Sequence, residues 1–116
     1  MKRPARVRVL GKQFQIDFVP GDHKNLEEAY GLCDSDEQRI WIKEGQPLES
    51  EQDTVLHEVL HAVESAMNMD LDDKIIHLLA TGLLAVIRDN PTFVRYLATK
   101  RPHAQKVKAA PLPEVR

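Results

Sequence analysis

The sequence predicts an α+β fold in one small domain. A mainly antiparallel sheet of three or four strands comes first, then two long helices folded back on each other as a helical hairpin. Three observations predict this. Apolar and polar residues alternate along residues 5–19 and again along 38–43, the period-2 pattern of strands with one buried face. Gly45-Gln46-Pro47 ends that pattern, and apolar residues at helical spacing follow as far as Asn90-Pro91. A length of 116 residues, 42% hydrophobic and 29% charged, suits a globular domain with a single core.

In the first strand Val7 and Val9 oppose Arg6 and Arg8; in the second Phe14, Ile16 and Phe18 oppose Gln13, Gln15 and Asp17. Gly11-Lys12 between them suits a tight hairpin turn, and Pro20-Gly21-Asp22 closes the second strand. Residues 23–30 read either as one helical turn or as a loop. A second hairpin is expected from Ala29–Cys33 and Gln38–Lys43 across Asp34-Ser35-Asp36-Glu37, with Ile40 and Ile42 on one face and Trp41 on the other.

The first long helix is expected from Ser50, as N-cap, to about Met69, with Glu51 and Asp53 favourable near the positive end of its dipole. Projected at 100° per residue, an apolar arc of about 160° runs through Val55, Val59, Ala62 and Met67. His57, His61 and Glu64 share the polar face, and Glu58 falls at the border. The second helix is expected from about Leu71 to Asp89, with Asp70, Asp72 and Asp73 at its start and Gly82 allowing a close helix contact. Pro91 to Ala98 reads as a short third helix. The domain therefore spans residues 1–98. Residues 99–116, basic and rich in proline and alanine, read as a disordered tail.

Net charge is −2, which gives the domain no general attraction to nucleic acid or to an anionic membrane; only the basic tail offers weak nucleic-acid contact. The apolar run Leu83–Ile87 is far too short to span a bilayer. Cys33 is the only cysteine, so neither an intrachain disulfide nor a cysteine-based zinc site is available. The basic start, Met1 to Arg6, is followed by no apolar segment of the secretory kind. A cytoplasmic protein is the expectation.

The chemistry concentrates in His57-Glu58-Val59-Leu60-His61. This is an H-E-x-x-H pattern: two histidines one helical turn apart can reach one zinc ion, and the glutamate, not needed as a ligand, can act as a base. A catalytic zinc site needs a third protein ligand. With an antiparallel helix pair turning at Met69-Asp70, His61 lies about 12 Å and His77 about 10 Å from the turn, nearly level. This ranks His77 as third metal ligand beside His57 and His61. Asp73, one turn lower on the same stripe, is the partner of an imidazole or the fallback ligand. Glu64 could orient an imidazole or join the coordination. His23 and His103, in loop and tail, are expected to be solvated.

The stretch Thr54-Val55-Leu56-His57-Glu58-Val59-Leu60-His61-Ala62-Val63-Glu64 resembles the active-site helix of small zincin-like metallopeptidases of phages and mobile elements, near the SprT-like and ImmA/IrrE-like domains. Arg39-Ile40-Trp41-Ile42 resembles the edge strand bordering their substrate cleft, and Arg88-Asp89-Asn90-Pro91 the end of their following helix. The resemblance covers roughly residues 28–97 and implies a minimal zincin-like fold, Zn2+ as cofactor and a peptide or protein substrate. It implies a metal-activated water with Glu58 as general base. An extended substrate would pair with the strand from Arg39 to Lys43, and Tyr30, Arg88 or Tyr96 would stabilise the oxyanion. The alternatives are a catalytically silent metal-binding or protein-interaction module with the same fold, and a zinc hydrolase acting on a non-peptide amide.

Overall fold

The structure, a computed structural model, describes residues 2–102. Strands β1 (Arg6–Val9), β2 (Lys12–Val19), β3 (Gly31–Asp34) and β4 (Arg39–Lys43) precede helices α1 (Leu48–Ala66), α2 (Asp73–Asp89) and α3 (Pro91–Ala98). The chain is a small α+β fold with a four-stranded mixed sheet in the order β1-β2-β4-β3.

Both hairpins form, and the first turns one residue earlier than expected. Lys12 already belongs to β2, and the turn residues Leu10 and Gly11 have φ of 47° and 85°. Two left-handed residues in succession make the tight turn whose twist matches the flanking strands; glycine takes that conformation without strain and leucine does not. The expectation of a mainly antiparallel sheet holds for β1–β2 and β3–β4 but misses the junction, because β2 and β4 pair in parallel, from Gln15↔Arg39 to Val19↔Lys43. β4 is therefore a central strand, with Ile40 and Ile42 fully buried and Trp41 on the other face only 8% exposed. A 3-10 turn at Lys24–Leu26 packs on β3 and β4 and buries Leu26 completely. Its capping acceptor is Nδ1 of His23, which accepts the N–H of Asn25.

One sheet face and α1 share the core. Val9, Phe14, Ile16, Ile40, Ile42 and Ala62 are its buried members, with Val55, Val59 and Val63 of α1 packed against them. α2 packs on α1 from the side away from the sheet, and α3 packs on α2. α1 is thus the middle of three layers: its apolar arc meets the sheet, its polar side with His57 and His61 meets α2, and most of the helix is buried or half-buried. Its N-terminus is pinned by Glu51, 4% exposed, which accepts from Arg3 Nε at 3.0 and 2.9 Å.

The helix boundaries differ from expectation at three ends. α1 starts at Leu48 with Pro47 in the cap position and no side-chain cap; the fixed φ of proline suits the start of a helix, and Ser50 lies inside the first turn. α1 stops at Ala66 because Asn68 turns left-handed (φ 53°), which leaves Met67 exposed. α2 starts at Asp73, where Asp72 caps the N–H of Lys74 at 2.8 Å. Gly82 makes no close helix contact: a Cβ there would meet nothing within 4 Å. Residues 99–102 carry no regular structure, and the rest of the tail, with His103, lies outside the described residues. Among the described residues, no helix is long and apolar enough to cross a membrane.

Candidate metal centre

Three ligand-type atoms converge between α1 and α2. Nε2 of His57 and Nε2 of His61 are 3.1 Å apart, and Oδ1 of Asp73 lies 3.1 Å from the first and 2.9 Å from the second. The two histidines meet because four residues of helix bring them to one face, and Asp73 meets them because the first turn of α2 passes beside that face. His57 and His61 expose only 16% and 27% of their side chains, Asp73 75%, so the cluster is backed by protein and open on the Asp73 side.

Protonation chemistry makes the convergence informative. Nδ1 of His61 is 3.0 Å from Oε1 of Glu64. A carboxylate only accepts, so Nδ1 carries the hydrogen and the Nε2 of a neutral His61 is a lone pair. That lone pair faces Oδ1 of Asp73, itself an acceptor. Two acceptors at 2.9 Å require a positive charge between them, either a proton or a metal ion. Burial by itself lowers the His61 pKa, but hydrogen bonds to Glu64 and Asp73 outweigh it and hold the ring above its usual value. The hydrogen bond to His61 holds Asp73 below the usual carboxylate range. Glu64 is also held low, first by the backbone N–H of Leu71 and then by His61. Its carboxylate thereby ties the α1–α2 connection to the tautomer of His61, the kind of support that metal-binding histidines receive. Two imidazoles and one carboxylate suit zinc, and also iron(II).

His77 lies on the same face of α2 one turn beyond Asp73, with its ring centroid 6.0 Å from that of His57. It lines the cleft beside the cluster but contributes no atom to the group. The reason is the connection: six residues, 67–72, separate the helices, so α2 starts later than a turn at Met69-Asp70 implies, and its first residue is level with both histidines.

Glu58 is 6% exposed, and burial pushes its carboxyl up to about 7, partly offset by the nearby His61. It lines a cleft of about 680 Å³ with His57, His61, Asp73 and the strand β3. Gly31 of β3 is what lets the strand pass so close. A Cβ on it would stand 2.7 Å from Cγ2 of Thr54 and 3.0 Å from Oε2 of Glu58. A glycine inside a strand pattern is the sequence signal for such an approach, and it was available here.

The strand bordering the cleft is β3, not the stretch from Arg39 to Lys43. β4 is hydrogen-bonded on both sides and has no edge to offer. The N–H of Lys43 donates to the C=O of Tyr30 at 2.8 Å. By antiparallel alternation the main chain of Leu32 and Asp34 also turns towards β4, and that of Gly31 and Cys33 turns to the free edge. The Cys33 thiol, pushed up to about 11 by burial, is not a thiolate. Of the three oxyanion candidates, Tyr30 lines the cleft, with Lys43 Nζ 4.7 Å from its ring centroid. Arg88 is hydrogen-bonded to Gln52, and Tyr96 on α3 is 75% exposed; neither lines the cleft.

No protein-family model, curated protein or solved structure matches the chain. The chemistry of the cleft therefore carries the functional reading.

Proposed function

We propose that this chain is a zinc-dependent metallopeptidase of the minimal zincin-like kind found in phages and mobile elements, acting in the cytoplasm on a peptide or protein. One observation carries the reading: three ligand atoms within 3.1 Å of one another beside a buried carboxyl raised to about 7, in a cleft bounded by a free strand edge. His57, His61 and Asp73 would hold the metal, with His77 lining the cleft beside them. Zinc, when bound, supplies Lewis-acid polarisation and makes water a nucleophile near neutral pH.

The chain's own residues supply the rest. Glu58 accepts a proton from the attacking water and returns it to the leaving amine, a task suited to a carboxyl whose pKa lies near the working pH. Gly31 and Cys33 offer main-chain hydrogen bonds to an extended substrate lying along β3. Tyr30, one of the hydroxyl side chains lining the cleft, donates to the developing oxyanion.

Metal content by elemental analysis, together with a peptide-library digest of the native chain and Glu58→Gln, tests the reading. About one zinc per chain, with cleavage lost and zinc kept in Glu58→Gln, is the expected result. No zinc in the native protein overturns the proposal. Iron in place of zinc reassigns the chemistry. Zinc without cleavage of any peptide makes the domain a metal-binding interaction module.

A further inference from the structure

The outer face of α2 has no partner among the described residues. Ile76 and Ala80 turn inward and are 1% and 0% exposed. Ile75, Leu78, Leu79 and Val86 lie within about 100° of one another on the opposite side and are 46%, 59%, 45% and 44% exposed. Phe93 and Leu97 of α3 add 49% and 64%. With Leu83, Ile87 and Tyr96, 42%, 42% and 75% exposed, they make a run of exposed apolar side chains along α2 and α3, the kind of patch that marks an interaction surface.

We infer that this face binds a second copy of the chain, α2 against α2 in antiparallel orientation about a two-fold axis near Gly82. Three features fit a self-complementary contact. Gly82 sits in the middle of the stripe with nothing within 4 Å of a Cβ position, so two helix backbones can approach there. Leu78 and Leu79 precede Gly82 by one turn and Val86 follows it by one turn, so the axis sets the leucines of one copy on the valine of the other. The ends of the stripe carry opposite net charge, with Asp70, Asp72, Asp73 and Lys74 at the start of α2 and Arg88, Asp89, Arg95, Lys100 and Arg101 at its end and through α3. Antiparallel docking brings unlike ends together; parallel docking brings like ends together.

The metal cluster lies between α1 and α2, away from this face, so the dimer stands or falls independently of the proposed peptidase activity. Sedimentation velocity of the full chain at about 1–100 µM is the test, a range that brackets a typical weak-to-moderate association. A species of twice the chain mass is expected, and a monomer throughout overturns the inference. Leu79→Glu with Val86→Glu should weaken association at least tenfold with an unchanged far-ultraviolet circular dichroism spectrum; an unaffected dimer overturns the assigned face. Asp70→Arg and Arg95→Asp should each weaken the dimer and together restore it. Failure of the pair to restore it overturns the antiparallel arrangement.

Discussion

Oδ1 of Asp73 lies within 3.1 Å of Nε2 of both His57 and His61, so one carboxylate oxygen on α2 meets the two imidazoles of α1. If the cluster holds zinc as proposed, removing that carboxylate costs most of the metal affinity. Asp73→Ala is expected to lower zinc affinity by 100-fold or more, since two ligands remain where three are the norm. His77→Ala should change it less than tenfold. Competition with a chromophoric chelator measures both, and the reverse order would restore His77 as the ligand.

Glu64 fixes the hydrogen on Nδ1 of His61 and accepts the N–H of Leu71. On the proposed zinc site, Glu64→Ala should weaken zinc binding by roughly 10–100-fold, the usual cost of losing a group that orients a metal-bound histidine. Glu64→Gln should cost less, because its amide oxygen can still accept from Nδ1. Equal affinity in all three proteins would show that the connection, not Glu64, orients the ring.

Gly31 leaves no room for a side chain beside Glu58 and Thr54. Gly31→Val is expected to destabilise the fold by about 1–3 kcal/mol, as overpacking does. On the proposed peptidase reading it should also displace the Glu58 carboxylate, lowering peptide hydrolysis while zinc content stays the same. Urea unfolding and elemental analysis report the two effects separately.

With no metal bound, burial pushes the Glu58 carboxyl up to about 7, against ~4.3 in an unfolded chain. Between those values the folded state holds a proton that the unfolded state has lost. Stability from this group therefore falls as pH rises through the window, and the full penalty is present above about 7. Its size is a few kcal/mol. Metal-free Glu58→Gln should accordingly unfold at higher urea than the native chain near pH 8 and at a similar concentration near pH 4. Matching midpoints near pH 8 would refute the raised value.

The elements were legible because short-range rules produce them. Alternation marks β1, β2 and β4, Asn90-Pro91 ends α2, and the four-residue spacing of His57 and His61 puts them on one face. What escaped was long-range. The parallel pairing of β2 with β4 joins residues 24 apart in sequence and leaves no local trace, so nothing in the sequence marks β3 rather than β4 as the edge strand. The third member of the cluster depended on the height of α2, and that height was set by two helix ends: Asn68 turning left-handed and Asp72 capping late. Each is worth only one or two residues, but half a turn decides which side chain of α2 reaches the histidines.

That parallel junction also orders the events of folding. The β1–β2 and β3–β4 turns bring together residues a few positions apart, and such hairpins close in about 1–10 µs. Joining β2 to β4 requires the intervening segment to be looped first, and non-local pairing of this kind slows folding. The free edge of β3 has its place over α1 only once β4 is seated against β2. A substitution that weakens the β2–β4 seam, at Ile16 or Ile40, should therefore slow the appearance of the cleft more than it slows the formation of either hairpin.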